Sequence, residues 1–284
     1  MITARNLVTA GRAFLNVRKR RHILKLATED PLRLWAYTKR SFSSGWLEFF
    51  FDSTSQYQAF EREIRESRLV DDLCRKLHAE FAALTGKTPR GNPFTPGVPK
   101  TSEVLTIYSL IRRLRPKIVV ETGVCNGLST AAILTALEAN GEGNLFSIDF
   151  PEFAGQENGD FWPGKGGAVI PADQEPGWLV PRHLRKRWEL RIGKSQGVLL
   201  PLLAELRQID FFLHDSEHSF SNQLFEFRSA FGYLKPGGVL AASDVHWSEA
   251  FDTFREEAVS SVECFFVDYS LALLVRSPQV VTRV

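Results

Sequence analysis

Apolar positions in the second half of the chain alternate between short β-branched runs and longer helical stretches. The clearest repeat is 117–149, KIVVETGVCNGLSTAAILTALEANGEGNLFSID. Residues 117–121 read as a strand buried on both faces, 128–139 as an apolar helix stopped by Asn140 and Gly141, and 145–148 as the next strand. The same alternation continues downstream. Strands are expected at 188–192, 209–213 and 239–242, with helices at 102–114, 198–206 and 221–233. A parallel, doubly wound α/β sheet with helices on both faces follows from that order.

The first hundred residues follow a different pattern. Residues 1–40 hold ten Lys or Arg against only Glu29 and Asp30, interleaved with Leu7, Phe14, Val17, Ile23 and Leu24, which predicts a basic amphipathic helix. Such a helix packs one apolar stripe on the rest of the protein or meets a membrane surface or an acidic partner. Residues 41–51 are rich in aromatics, and 56–85 show helical periodicity through Phe60, Ile64, Leu69, Leu73, Leu77 and Phe81. Four prolines in 87–100 exclude a regular element, so we divide the chain into a helical accessory region with its linker, 1–100, and an α/β domain, 101–284. Between the expected strands at 145–148 and 188–192 the chain inserts 150–187, rich in Pro and Gly yet carrying Phe153, Phe161, Trp162 and Trp178. That many aromatics argues against disorder and for a lid over a site.

Composition narrows the function classes. Of 284 residues 44% are hydrophobic, enough for a sizeable core, and a net charge of +2 requires no nucleic-acid partner. Cys74, Cys125 and Cys264 are odd in number and widely spaced, which fits neither a disulfide framework nor a zinc site and suggests a reducing, cytoplasmic setting. No apolar run approaches the about 20 residues of a membrane-spanning helix. A secretory signal is not evident, and an organelle presequence is disfavoured by the lack of Ser in 1–40. Oligomeric state is left open.

The candidate chemistry lies where strands end. Gly123 and Gly127 let backbone approach a ligand closely, and Asp149, at the end of the second strand, can accept hydrogen bonds from both hydroxyls of a ribose. Val124 stands where a dinucleotide fingerprint would have its second glycine, so a ligand with ribose and no pyrophosphate fits better. An NAD-dependent oxidoreductase remains the alternative enzyme, and a non-catalytic module of the same fold the alternative outside catalysis. Ser195 and Gln196 follow the third strand in GKSQ, and two further strands deliver Asp215 and Asp244, a pair suited to a hard divalent cation. Capping of the following helices is the plainer role for both aspartates.

In this order ETGVCNG, SID, GKSQ, IDFFLHDSEHSF and LKPGGVLAASDV resemble the metal-dependent branch of the class I S-adenosylmethionine (SAM)-dependent O-methyltransferases, including the catechol-type and macrocin-type enzymes. The resemblance spans about 101–276 and implies a Rossmann-like, seven-stranded, mostly parallel sheet. It implies SAM as cofactor, with Glu121, Gly123 and Gly127 along its methionine part, Asp149 at the ribose, and Ser195 and Gln196 at the adenine. It also implies Mg²⁺ held by Asp215 and Asp244, and a small-molecule hydroxyl as methyl acceptor. His218 occupies the position of the family's base, and a histidine titrating near neutrality suits that role. The sequence departs from the catechol-type pattern at Val245, where those enzymes keep an asparagine ligand, which leaves the third protein ligand open among His246, Glu217 and His218.

Overall fold

The structure, a computed structural model, describes residues 45–85, 99, 101–153 and 169–278. The expected basic helix in 1–40, nearly all of the linker at 87–100 and the central part of the insertion, 154–168, lie outside the described residues.

Four helices precede the sheet: α1 (Trp46–Phe50), α2 (Thr54–Glu66), α3 (Leu69–Thr85) and α4 (Thr101–Leu114). Then follow β1 (Ile118–Thr122), α5 (Leu128–Asn140), β2 (Asn144–Asp149) and, within the insertion, the two-residue strands β3 (Glu152–Phe153) and β4 (Val169–Ile170). A 3₁₀ turn over Arg182–Arg187 leads into β5 (Trp188–Ile192), α6 (Ser195–Leu206), β6 (Ile209–His214), α7 (Phe220–Tyr233) and β7 (Leu234–Ala242). The described residues close with α8 (Ala250–Glu257), β8 (Val262–Phe266) and β9 (Ala272–Arg276).

Seven strands form one sheet in the order β5-β2-β1-β6-β7-β9-β8. All neighbours pair in parallel except β9, which is antiparallel to both β7 and β8. The chain builds outward from β1 through β2 to β5, then crosses to β6 and builds the other way. The order therefore reverses between β1 and β6, and the carboxyl ends of those strands open onto the crevice where such sheets take ligands. The seven-stranded, mostly parallel, Rossmann-like sheet is as expected.

Strand residues alternate between two cores, as a pleat of period two requires. Val119, Leu145, Phe211, Leu213 and Leu273 face one side, covered by α4, α5 and the N-terminal helices. Val120, Ile148, Phe212, Leu240 and Leu274 face the other, covered by α6, α7 and α8. Trp46, Phe50, Ile64, Leu73 and Leu77 belong to the first core and are at most 7% exposed, so α1–α3 share the interior of the sheet domain.

Two elements differ from the expected ones. The helix expected across 56–85 is two helices, because Ser67 caps α2 and Arg68 turns left-handed at φ 57° before α3 begins. The strand expected at 239–242 begins five residues earlier, at Leu234, and takes Lys235-Pro-Gly-Gly into β7. Asp210 holds this end of the sheet by pairing with Lys235 and accepting the backbone N–H of Lys117 and Ile118 at 2.8 and 2.7 Å.

Candidate active site

The turn after β1 is shaped by glycine, for a reason that differs from the sequence reading. A Cβ on Gly123, at φ 89°, would lie 2.1 Å from the Asp215 carbonyl oxygen, and one on Gly127, at φ 92°, 2.8 Å from the Cα of Gly177. The close approach is thus to the protein's own backbone. One partner is the loop after β6. The other is the described part of the insertion, whose Gly177 and Leu179 donate N–H to the carbonyls of Cys125 and Asn126 at 2.8 and 3.1 Å, while Trp178 Nε1 donates to Asn126 Oδ1 at 2.7 Å.

Glu121 and Asp149 stand on adjacent strands beneath this turn. Glu121 is fully buried and accepts hydroxyl hydrogen bonds from Ser129, Thr130 and Ser147, each at 2.8 Å. Burial pushes its pKa up to about 7 against the pull of those three donors, with Asp149 adding to the rise. Asp149 is 8% exposed, and its Oδ1 accepts the Val124 N–H at 3.2 Å. Its Oδ2 is buried with no hydrogen-bond partner. Burial raises this carboxyl to about 6, while the backbone N–H groups of Val124, Cys125 and Phe150 work the other way.

Gly193 N–H donates to the Asp149 carbonyl at 2.8 Å, which sets the start of α6 beside the end of β2. Ser195 is buried there with its hydroxyl on Glu226, and the exposed Gln196 donates from Nε2 to Asn222 Oδ1 at 2.7 Å.

The ends of β6 and β7 lie side by side, with His214 opposite Ala242 and the Ser243 N–H on the His214 carbonyl at 2.9 Å. They bring together Asp215, Asp244, His218 and His246. Asp215 is held well above its ordinary pKa by burial, then by the nearby carboxylates of Glu103, Asp244 and Glu121. Asp244 adopts a left-handed φ of 51°, and its Oδ1 accepts the Ser270 hydroxyl at 2.5 Å. His218 Nε2 lies 3.7 Å from Asp244 Oδ2, and His246 Nδ1 lies 3.8 Å from Asp244 Oδ1. Titration of His218 near neutrality, expected from the sequence, is corrected here. Burial and the neighbouring His214 and His246 lower its pKa to about 3, against the pull of Asp244 and Glu226, so the imidazole is neutral at physiological pH. Among the described residues no group of three or more His, Cys, Asp or Glu side chains is placed to hold a metal ion.

Sequence reasoning missed the polar network under this floor. Glu226 of α7 is fully buried and accepts from Thr122 Oγ1 and His214 Nδ1, each at 2.6 Å, from Ser216 Oγ at 2.7 Å and from Asn222 Nδ2 at 3.1 Å. Burial alone would raise its pKa, but His214 and the hydroxyls of Ser195 and Thr122 outweigh it and the carboxyl stays below its ordinary range. Gln223 Nε2 meets His214 Nε2 at 3.2 Å, and its Oε1 accepts the Ser248 hydroxyl, which ties the loop after β7 to the same network. The available signal was Asn222, Gln223 and Glu226 on one side of a helix that also carries Leu224, Phe225, Phe227 and Phe231. Glu103, buried in the first turn of α4, carried no signal of its own.

Residues 120–245 match the family model described as a methyltransferase domain. No curated protein matches the chain. Among solved structures, an O-methyltransferase from Bacillus cereus in complex with S-adenosylhomocysteine (SAH) is 14% identical, over 74% of this chain and 91% of that one, with a TM-score of 0.47. A putative O-methyltransferase from Klebsiella pneumoniae is 15% identical, over 78% and 98%, with a TM-score of 0.48. The O-methyltransferase TomG from Streptomyces achromogenes, in complex with SAM, is 15% identical, over 72% and 96%, with a TM-score of 0.47. The turn after β1 and the ends of β2, β6 and β7 all lie inside the segment that matches a methyltransferase domain.

Proposed function

We propose that the protein transfers the methyl group of SAM to a hydroxyl oxygen of a small molecule, with a divalent cation at the acceptor. The observation that carries the cofactor assignment is Asp149 Oδ2, a buried carboxylate oxygen without a partner at a strand end beside the sheet reversal. Leaving such an atom unpaired is costly, and a ribose diol supplies the missing donors. In this reading Ser195 and Gln196, one strand further out, take the adenine, and the turn from Gly123 to Gly127, braced on Glu121, takes the methionine end.

The methyl group of SAM is already activated by its sulfonium, so the protein has to align an oxygen with it and accept a proton. Neutral His218 has a ring nitrogen able to take that proton, and the Asp244 carboxylate 3.7 Å away favours the cation that results. Asp215 and Asp244 fit the binding mode of a Mg²⁺ ion that keeps several waters and uses one or two carboxylates. Bound there, such an ion would lower the pKa of an acceptor hydroxyl. A small molecule is the proposed substrate, and the three free thiols support a reducing compartment such as the cytoplasm. Peripheral membrane contact through the basic residues of 1–40 belongs to the same proposal.

Calorimetry with SAM and turnover with added Mg²⁺ test it. Asp149→Ala removes two hydrogen bonds to a charged acceptor, each worth about 1.5–3 kcal/mol, and should cost at least about tenfold in affinity. Asp215→Ala or Asp244→Ala should abolish metal-stimulated turnover with SAM affinity held within a few fold. His218→Ala should lower kcat by about 10² to 10⁴. Unchanged SAM binding in Asp149→Ala refutes the ribose site, and full activity in excess EDTA refutes the metal.

A further inference from the structure

We infer that Asn222 is a specificity-determining positioning residue: it fixes the Gln196 amide so that the carbonyl oxygen, and not the amino group, is offered to the purine of the cofactor. The inference rests on the reading of Gln196 as an adenine contact. An amide can present either end, so what decides is the chain of donors and acceptors behind it.

That chain begins at two groups that can only accept. The Glu217 backbone carbonyl lies 2.9 Å from the Asn222 amide and the Glu226 carboxylate 3.1 Å from it, on the same side. Both require the nitrogen of Asn222 to face them. The carbonyl of Asn222 is therefore the end turned toward Gln196, and at 2.7 Å it accepts the Gln196 amino group. With the Nε2 end of the planar amide held against Asn222, Gln196 turns its Oε1 away from Asn222, where a ligand can reach it. Asn222 is 3% exposed, so reversing it would set an oxygen against a carbonyl and a carboxylate out of reach of water.

The position suits purine selection. Gln196 lies in the first turn of α6, three residues after Gly193, whose N–H is bonded to the Asp149 carbonyl. A carbonyl oxygen there accepts from the exocyclic amine of a 6-amino purine and repels the oxygen of a 6-oxo purine. Sites built to hydrogen-bond one group reject the analogue that lacks it.

The experiment compares SAH with its deaminated counterpart, S-inosylhomocysteine, by calorimetry on the wild type, Asn222→Ala and Gln196→Ala. The wild type should favour SAH by tenfold or more. Asn222→Ala frees the Gln196 amide to present either end and should shrink that preference at least fivefold, a ratio that general loosening of the fold would not move. Gln196→Ala, changed at an exposed side chain, should shrink it as far and serves if Asn222→Ala does not fold. A wild type that binds SAH while the Asn222→Ala preference stays unchanged overturns the inference alone. A preference kept in Gln196→Ala overturns it together with the adenine contact, and failure of the wild type to bind SAH overturns the proposed function as well.

Discussion

Glu121 and Asp149 face the same buried layer, and burial raises both, yet pH should reach them through different observables. For Glu121 the observable is stability. A carboxyl raised from 4.5 to about 7 on folding contributes stability that is fully present below its unfolded pKa and is lost as pH rises through 7. The difference is of order 3 kcal/mol across that window. Glu121→Gln is neutral at every pH, so thermal melts of the variant should lose part of the fall in Tm between pH 5 and pH 8. For Asp149, as the proposed ribose acceptor, the observable is binding, because only an ionised carboxylate could accept from both ribose hydroxyls. SAM affinity should fall as pH drops below about 6, approaching tenfold per unit, and Asp149→Asn should bind weakly at all pH values. Asp149 was legible in the sequence because a lone carboxylate closes an apolar strand. Glu226 was not, because a buried acid on a helix is revealed only by the hydroxyls and the imidazole that other elements bring to it.

The turn after β1 and the insertion after β2 act as one piece. Cys125, at φ 48°, and Asn126 expose carbonyls that 177–179 cover, and Gly127 and Gly177 are both left-handed where they meet. Gly127→Ala would place a Cβ against the Gly177 backbone on a φ that alanine rarely adopts. We expect about 1–3 kcal/mol of destabilisation and weaker SAM binding, measured by denaturant unfolding and calorimetry. The sequence signalled glycine here, and aromatics such as Trp178 in the insertion. It could not show that Gly127 and Gly177 make room for each other's backbone, since that depends on two segments about fifty residues apart. Strands and most helices were legible from period alone. The division of 56–85 at Arg68 was not, because the apolar spacing runs on unbroken through the residue that bends the chain. His218 shows the same limit, since its position was legible while its depressed pKa comes from its burial and then from His214 and His246 beside it.

At the scale of the whole molecule, the order of the parallel strands follows from repeated strand and helix units with right-handed crossovers, so the sheet reversal that makes the site was within reach of sequence reasoning. The role of the N-terminal helices was harder to place, because proline-rich residues separate them from the matched segment and nothing in their periodicity names a partner. In the folded chain Leu77 of α3 is fully buried in the same core as α4, α5 and one face of the sheet. Arg112 of α4 pairs with Glu63 of α2 at 3.1 Å and also reaches Asn140 at the end of α5, so polar contacts tie these helices together as well. If α1–α3 are part of this core, a cavity at Leu77 must weaken the protein as any core cavity does. Leu77→Ala should cost about 2–5 kcal/mol in one cooperative unfolding transition that also ends SAM binding. An early transition that leaves SAM binding intact at intermediate denaturant would show instead that the N-terminal helices fold as a separate unit.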